Sequence, residues 1–148
     1  HEKYHIGQKG DGVTALIPII LQAAKGERER LSIYGDDYPT KDGTGIRDYI
    51  HVVDLVRAHI AALPALDKNI SGIYNLGNGN GFSVLEMLNA AKKVTNVDIK
   101  SEVVEKREGD PASVVAASEK ARDILGWKPE YTDVEKIIET AWNWYRSL

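Results

Sequence analysis

Two polar side chains, two residues apart, offer the clearest binding chemistry in this sequence. The stretch from Ile46 to Asp54 alternates in side-chain direction, a pattern typical of a strand. Side chains two apart on one strand face lie about 6.8 Å apart, so Arg47 and Tyr49 can reach the same ligand. A guanidinium fork beside a phenol hydroxyl suits a phosphate. The same alternation also describes an ordinary half-buried strand whose polar residues face solvent.

A second candidate for anion binding is the charged turn Arg107-Glu108-Gly109-Asp110-Pro111. Its cation and its acceptor stand three residues apart and could together hold a phosphate and a sugar hydroxyl. The alternative is a local surface ion pair, which is worth under about 1 kcal/mol. The residues of the turn do not decide between the two.

Other reaction chemistries lack their usual motifs. The sequence contains no cysteine, which removes disulfides, thiolate metal sites and cysteine nucleophiles. No stretch resembles a nucleophile elbow, a zinc-binding helix or a Walker loop. The run from Gly77 to Gly81 precedes a predicted helix, but its glycine spacing is not that of a dinucleotide-binding fingerprint. We therefore expect a structural turn there.

Length and charge limit the classes of function. A chain of 148 residues is enough for one domain. Its net charge of −3, with scattered basic residues, argues against nucleic acid or an anionic membrane as a partner. The longest apolar run, Leu16 to Leu21, is too short to span a bilayer, and no signal peptide is visible, so a cytoplasmic location is expected. Because the chain begins at His1, we expect it to be the rear part of a longer protein.

Periodicity and capping residues predict alternating strands and helices. Strands are expected at Leu31 to Tyr34, at the alternating stretch, at Ile73 to Leu76, at Ile99 to Glu105 and at Val114 to Ala116. Helices are expected after a Thr14 cap, from Leu55 to Leu66 after an Asp54 cap, after a capping box at Ser83 and Glu86, from Glu119 to Leu125, and after a box at Thr132 and Glu135. Residues 1–12 are expected to form a loop. The broad apolar stripe of the helix at 55–66 predicts two packing partners.

The order of several motifs resembles that of UDP-glucose (UDP-galactose) 4-epimerases. The motifs are TALIP at 14–18, LSIYGDDYPT at 31–40, DGTGIRDYIHV at 42–52, YNLG at 74–77, REGDP at 107–111 and ILGW at 124–127. These enzymes are extended short-chain dehydrogenase/reductases, in which an amino-terminal Rossmann domain binds NAD and a smaller carboxy-terminal lobe holds the nucleotide sugar. The resemblance implies that residues 1–148 are this small mixed α/β lobe without its Rossmann domain.

The resemblance also implies which side chains hold the diphosphate and the ribose. Arg47 and Arg107 would clamp the diphosphate, and Tyr49 would lie beside Arg47. Asp110 would bind the ribose. These roles would make the charged turn at 107–111 part of the same site as the alternating stretch.

Backbone groups are implied for the rest of the nucleotide. The start of the first helix, at Ala15 and Leu16, would approach the diphosphate, because a helix N-terminus favours anions. Alanine stands where the family usually carries Asn or His, so only backbone contacts are expected there. Ser32, Ile33 and Tyr34 would offer backbone groups to the uracil edge, and the Tyr34 ring would stack on the base.

Sugar specificity is implied by one further position. In the family, the residue four beyond the Asp of Arg-x-Gly-Asp borders the C2 substituent of the sugar. That residue is Val114 here, which lacks the ring of a tyrosine and would leave room for an N-acetyl group. The alternative is that Val114 is a core residue of its strand and is turned away from the site.

The implied reaction needs a cofactor. In the family, bound NAD oxidises the C4 hydroxyl, the 4-keto sugar rotates, and hydride returns to the opposite face. This sequence has no Tyr-x-x-x-Lys and no glycine fingerprint, so NAD is expected in the missing domain only, and the chain alone is expected to be inactive. The expected partners are UDP-glucose and UDP-galactose, with UDP-N-acetylhexosamines as an extension. The parent is expected to be a homodimer, and the isolated chain is expected to self-associate through the apolar face of the helix at 55–66.

Two other interpretations stay open at this point. A nucleotide-sugar dehydratase or decarboxylase shares the fold, although the loop from Asp36 to Gly45 argues against it. A free-standing nucleotide-sugar-binding or assembly module would keep the same phosphate and base contacts, so the residues of this sequence do not exclude it.

Overall fold

The computed structural model describes residues 6–7, 14–68 and 70–148 of the protein. In chain order these residues form α1 (Leu16–Ala24), β1 (Leu31–Tyr34), β2 (Ile46–Asp48), α2 (Val52–Asp67), β3 (Gly81–Ser83), α3 (Val84–Thr95), β4 (Ser101–Val104), β5 (Ser113–Val114), α4 (Glu119–Leu125) and α5 (Val134–Tyr145). The predicted mixed α/β fold is confirmed. The loop predicted for residues 1–12 lies largely outside the described residues.

The strands form two small sheets. β1 and β4 pair in parallel, starting with Leu31 opposite Ser101. β2 is the central strand of the second sheet, antiparallel to β3 and parallel to β5. Within this sheet Arg47 lies opposite Phe82 of β3 and Val114 of β5. Strands on both sides therefore fix the backbone that carries Arg47.

The main core lies between α1, β1, α3 and α5. α3 contributes Met87 and Ala91, which are fully buried, and α5 contributes Ile138. The buried members of this core are Ile20, Leu21, Ala24, Leu31, Ile33, Met87, Leu88, Ala90, Ala91, Ile99 and Ile138. Removing this apolar surface from water is the main stabilising contribution to the fold.

A second, smaller core holds α2 against α4 around one buried carboxylate. Ala58, Ala121 and Trp127 pack together, and the Trp127 indole N–H donates to the carbonyl of Asp54 at 2.9 Å. The Asp54 side chain is fully buried and accepts two backbone N–H groups, from Glu130 at 3.0 Å and from Tyr131 at 2.8 Å. Asp54 therefore anchors the segment before α5, and its predicted role as a helix cap is wrong.

The strand-to-helix boundary also differs from the prediction. β2 ends at Asp48 and α2 begins at Val52, so the predicted alternation holds only for the first three residues of the stretch. His51 is the N-cap, and its Nδ1 accepts the Val53 N–H at 3.1 Å. The same ring stacks on Tyr131, with 3.9 Å between the centroids. A capping imidazole replaces the expected strand residue because its ring nitrogen satisfies a free N–H of the first turn.

Several other local predictions can be checked directly. The capping box at Ser83 and Glu86 is confirmed, and so is the helix at 119–125. The N-cap of α1 is Ala15 and not Thr14, and the N-cap of α5 is Asp133, whose carboxylate replaces the box predicted at Thr132 and Glu135. Residues 73–76 form no strand, because their backbone has no neighbouring strand to pair with among the described residues. No helix in the described part of the chain has the length and hydrophobicity needed to cross a membrane.

One side of α2 carries a row of exposed apolar side chains. Ala58 faces the small core, whereas Val52, Val56, Ile60 and Leu63 are each more than half exposed on the other side of the helix. The described residues therefore supply one of the two packing partners predicted for this helix. An apolar row of this kind is typical of an interaction surface.

We expect this row to drive self-association of the isolated chain. Light scattering should show an average mass that rises with concentration from micromolar to millimolar. Ile60→Lys should move the protein toward the monomer, because a lysine in the row would have to lose water on association. Val103→Lys, at an exposed valine on β4, is the matched control and should leave the association unchanged. A clean monomer over the whole range for the unmodified chain would contradict this.

Candidate functional site

Arg47 is held by three acceptors at the end of the second sheet. Its Nη1 donates to the carbonyl of Ile46 at 2.7 Å and to that of Pro111 at 2.9 Å, and its Nη2 donates to Asp110 Oδ1 at 2.9 Å. The Arg47 and Asp110 side chains are 30 % and 36 % exposed, so the ion pair lies at the surface but is not fully solvated. These contacts tie the turn at 107–111 to β2 and fix the direction of the guanidinium.

The other charged residue of that turn stacks on an aromatic ring. The Arg107 guanidinium carbon lies 3.8 Å from the centroid of the Tyr34 ring, which is a cation–π contact. Asp110 closes the turn through its N–H, which donates to the Arg107 carbonyl at 3.3 Å. Gly109 stands at φ +77°, a conformation that side chains rarely adopt. The ion pair of this turn is thus formed by Asp110 with Arg47 and not with Arg107.

An open cavity of about 700 Å³ borders Arg47. Its walls come from β2, from the segment before the glycine turn and from the chain around and after β5. The lining residues are Arg47, Asp48, Tyr74, Asn75, Leu76, Val114, Val115, Ala116 and Ala117. Val114 is 49 % exposed, so its side chain is available to a ligand and is not part of the buried core.

Tyr49 lies between the site and the main core. It is half-buried and packs on the core cluster. Burial raises the pKa of Tyr49 to about 12, and the nearby positive charge of Arg47 lowers it only in part. The phenol therefore stays neutral at ordinary pH and can donate its O–H to an acceptor such as a phosphate oxygen.

β1 has one free edge. Leu31 and Gly35 donate their N–H groups toward β4, and because backbone groups alternate along a strand, those of Ser32 and Tyr34 lie on the opposite edge. The structure describes no strand pairing with that edge. Ile33 differs, because its side chain is buried in the main core and its backbone lies in the ladder to β4.

The start of α1 has no side-chain cap. Ala15 is extended and exposed, and its carbonyl accepts the Ile19 N–H at 3.2 Å. Leu16, the first helical residue, packs against the main core. The backbone N–H groups of the first turn are therefore not capped by a side chain of the described residues, and no acidic residue stands in that turn.

The structure brings some of the predicted residues together and leaves others apart. Arg47 and Val114 line the cavity, and Asp110 pairs with Arg47. The turn at 107–111 connects this pair to the stacked Tyr34 and Arg107. Leu16 packs on the main core, Ala15 is exposed, and no contact of either with the charged residues is described. Sequence reasoning missed Asp48, although a carboxylate on a strand face shared with Ile46 and Ile50 is itself a signal that it needs buried partners.

The backbone of the glycine turn at 77–81 binds a side-chain carboxylate. The N–H groups of Asn78 and Gly79 donate to the Asp48 carboxylate at 2.7 and 3.2 Å. The amides that would face a pyrophosphate thus already hold an internal anion, which confirms the predicted structural turn. Among the residues that the structure describes, no group of three or more His, Cys, Asp or Glu is placed to hold a metal ion.

Comparison with known proteins places the chain in a family. A family model described as GDP-mannose 4,6 dehydratase matches residues 2–140. The chain belongs to this family.

Individual relatives of this chain are named as 4-epimerases of UDP-sugars. A UDP-glucose 4-epimerase of Lacticaseibacillus casei is 59 % identical over 143 residues, which are 96 % of this chain and 43 % of that protein. A crystal structure of a UDP-glucose 4-epimerase from Stenotrophomonas maltophila, with bound NAD and formylated UDP-arabinopyranose, is 40 % identical with a TM-score of 0.94, covering 99 % of this chain and 44 % of that one. The UDP-Glc/GlcNAc 4-epimerase structure from Campylobacter jejuni is 45 % identical with a TM-score of 0.84, covering 98 % and 44 %.

These relatives confirm the predicted resemblance to epimerases of the extended short-chain dehydrogenase/reductase family. They also confirm the fold as a small mixed α/β unit that matches part of those structures. The chain spans less than half the length of the relatives it matches.

The raised pKa of Tyr49 predicts a pH dependence of stability. An unfolded phenol ionises near pH 10, whereas the folded one keeps its proton to about pH 12. The contribution is fully present below pH 10 and is lost as the pH rises through 12, so the free energy of unfolding should fall by up to about 2–3 kcal/mol across that window. Urea unfolding at a series of pH values measures this.

Tyr49→Phe should remove that part of the slope, because phenylalanine has no proton to lose. Tyr34→Phe, at an exposed ring, is the matched control and should keep it. An equal slope in Tyr49→Phe and in the unmodified chain would show that Tyr49 does not cause it.

Proposed function

We propose that this chain is the UDP-sugar-binding part of a UDP-hexose 4-epimerase. The observation that carries the proposal is the Arg47 guanidinium, fixed by three acceptors at the rim of an open cavity. The same turn that holds it carries Arg107 stacked on Tyr34. A cation with a fixed direction, beside a second cation and an open pocket, suits a diphosphate joined to a sugar.

Arg47 has donors left for a ligand. A guanidinium carries five N–H donors, and three of them are used for Ile46, Pro111 and Asp110. The two that remain can bind a phosphate oxygen without breaking the existing contacts. Asp110 uses one carboxylate oxygen on Arg47, and its second oxygen is available to a ribose hydroxyl.

The base and the sugar then extend from the diphosphate in opposite directions. The uracil would lie at the free edge of β1, where Ser32 and Tyr34 present backbone groups, and would stack on the ring of Tyr34. The hexose would enter the cavity lined by Val114. Ala15 and Leu16 would approach the diphosphate through the uncapped first turn of α1. Tyr49 would donate its neutral O–H beside Arg47.

Binding and orientation are the contributions proposed for this chain. NAD, when bound to the Rossmann part of the parent, would accept the hydride that leaves the C4 carbon of the sugar. The described residues offer neither a dinucleotide turn nor a Tyr-x-x-x-Lys pair, so the chain alone is expected to show no interconversion of UDP-glucose and UDP-galactose. A cytoplasmic location and a homodimeric parent are part of the same proposal and rest on the resemblance.

An epimerase is favoured over a dehydratase or decarboxylase by identity. The family model carries the name of a dehydratase, but the relative that shares 59 % of the aligned residues is named as a UDP-glucose 4-epimerase. A family model groups several reactions on one fold, whereas a high identity over nearly the whole chain preserves individual side chains. We therefore give the individual relative more weight.

Removing either arginine tests the site. In the parent enzyme, Arg47→Ala and Arg107→Ala should each weaken UDP binding by about 1.5–3 kcal/mol, because each removes charge-assisted contacts to the diphosphate. Calorimetry with UDP measures both losses. Arg57→Ala is the matched control, since Arg57 forms a surface ion pair with Glu130 away from the site, and it should bind UDP normally. If neither site variant changed the affinity for UDP, the two arginines would be ordinary surface residues with no role in UDP binding.

We propose that Val114 controls which sugars are accepted. It is half-exposed on β5, directly opposite Arg47, and lines the cavity. A valine leaves more space there than an aromatic ring, so we propose that the parent turns over UDP-N-acetylhexosamines as well as UDP-hexoses. The relative from Campylobacter jejuni is named as a UDP-Glc/GlcNAc 4-epimerase, which supports this proposal.

Val114→Tyr should suppress turnover of the N-acetylated sugar by steric exclusion and largely spare UDP-galactose. Comparing kcat/KM for the two substrates measures this, and Val103→Tyr at an exposed valine on β4 is the control. Equal losses on both substrates would indicate damaged packing. A parent without any activity on N-acetylated sugars would end the idea.

A further inference from the structure

We propose that Asp48 is a positioning residue for the sugar half of the site. Its side chain holds the cavity wall at 114–117 in place without needing to touch the ligand. The proposal rests on the function proposed above, because it concerns how that site is built. It assigns a role to a residue that the phosphate and base contacts do not use.

The Asp48 carboxylate gathers backbone amides from two distant segments. Oδ1 accepts the N–H of Asn78 at 2.7 Å, and Oδ2 accepts those of Gly79 and Ala116 at 3.2 Å each. Each is a charge-assisted hydrogen bond, about twice as strong as a neutral one. One side chain therefore joins β2, the glycine turn and the chain after β5.

The contact to Ala116 begins where the backbone ladder ends. β5 pairs with β2 only at Ser113 and Val114. Beyond Val114 the chain continues along the cavity as residues 115–117, outside the strand. Past that point the Ala116 N–H donates to the Asp48 side chain, and this hydrogen bond ties the wall to β2. The distance between the wall and Arg47 thus depends on Asp48.

A glycine makes this close approach possible. A Cβ added to Gly77 would lie 2.3 Å from Asp48 Oδ2 and 2.6 Å from the Cβ of Ala116. Contacts this short cannot be tolerated, so any other residue would push the carboxylate and the wall apart. Gly77 and Asp48 act together: the missing side chain of Gly77 leaves room for the Asp48 carboxylate, and that carboxylate binds the wall.

Neighbouring residues of β2 therefore organise different halves of the site. Arg47 binds the turn at 107–111, which carries the proposed diphosphate and ribose contacts. Asp48 binds the wall at 114–117, which borders the sugar. A change at Asp48 should accordingly weaken the part of the affinity that depends on the hexose, and leave the affinity for UDP itself nearly intact.

The substitution Asp48→Asn tests the sugar half of the site separately from the diphosphate half. An asparagine side chain has one acceptor oxygen and a donating NH₂ group, whereas the site presents three N–H groups. Whichever way the amide turns, at least one backbone N–H faces another donor. We expect the ratio of the Kd for UDP to the Kd for UDP-galactose to fall about tenfold, with the Kd for UDP changing less than about twofold.

The test is a titration of the 148-residue chain, followed by amide NMR, with UDP and with UDP-galactose. Asp54→Asn is the matched control, because Asp54 also accepts two backbone N–H groups but lies in the small core. It should lower the melting temperature and leave the ratio unchanged. If Asp48→Asn fails to fold, Gly77→Ala serves instead, since it keeps the carboxylate and displaces the wall. If neither variant folds, the unmodified chain decides: the Ala116 amide should shift with UDP-galactose beyond its shift with UDP.

The outcomes separate this inference from the proposed function. An unmodified chain that binds neither ligand would overturn the proposed function and, with it, this inference. Binding of both ligands with an unchanged ratio in the folded Asp48 variant would overturn the inference alone. Equal weakening of both ligands would also overturn it, because Asp48 would then support the fold and not the sugar half.

Discussion

The site depends on one three-residue strand that carries two opposite charges in succession. Neighbouring side chains on a strand point to opposite sides, so Arg47 and Asp48 reach different loops from a single backbone position. Arg47 donates to one carbonyl and one carboxylate of the turn at 107–111 and to one carbonyl of its own strand, and Asp48 accepts N–H groups of the glycine turn and of residue 116. The sheet is small, and these side-chain bonds continue it beyond the end of its ladder.

Buried or half-buried carboxylates repeat this device elsewhere in the chain. Asp54 fixes the segment before α5 through two backbone N–H groups. Asp42 accepts the N–H and the hydroxyl of Thr44 at 3.0 and 2.8 Å and the hydroxyl of Ser83. Burial raises the pKa of Asp42, but these hydrogen bonds outweigh it and leave the pKa lowered. That stabilisation is present above the ordinary carboxyl pKa near 3.9 and is lost as the pH falls below it.

Local interactions explain which elements could be predicted from the sequence. The box at Ser83 and Glu86 is formed within four residues, and its prediction is right. The pattern at residues 73–76 predicts a strand. A strand needs a neighbouring strand to pair with, and the structure describes none beside these residues. Asp133 replaces the predicted cap because it stands one residue closer to α5. The partners of Asp48 lie 30, 31 and 68 residues away, and no local pattern encodes contacts of that length.

The division of labour on β2 also bears on how one scaffold serves different sugars. The cavity wall is tied to Asp48 through the backbone amide of Ala116, so the side chain at Val114 can change without loss of that hydrogen bond. A larger or smaller residue can therefore replace Val114 while Arg47 keeps its three acceptors. In the proposed site the diphosphate contacts and the sugar contacts use different side chains, so affinity for the nucleotide and choice of the hexose would be separable. A single charge-bearing strand supports both.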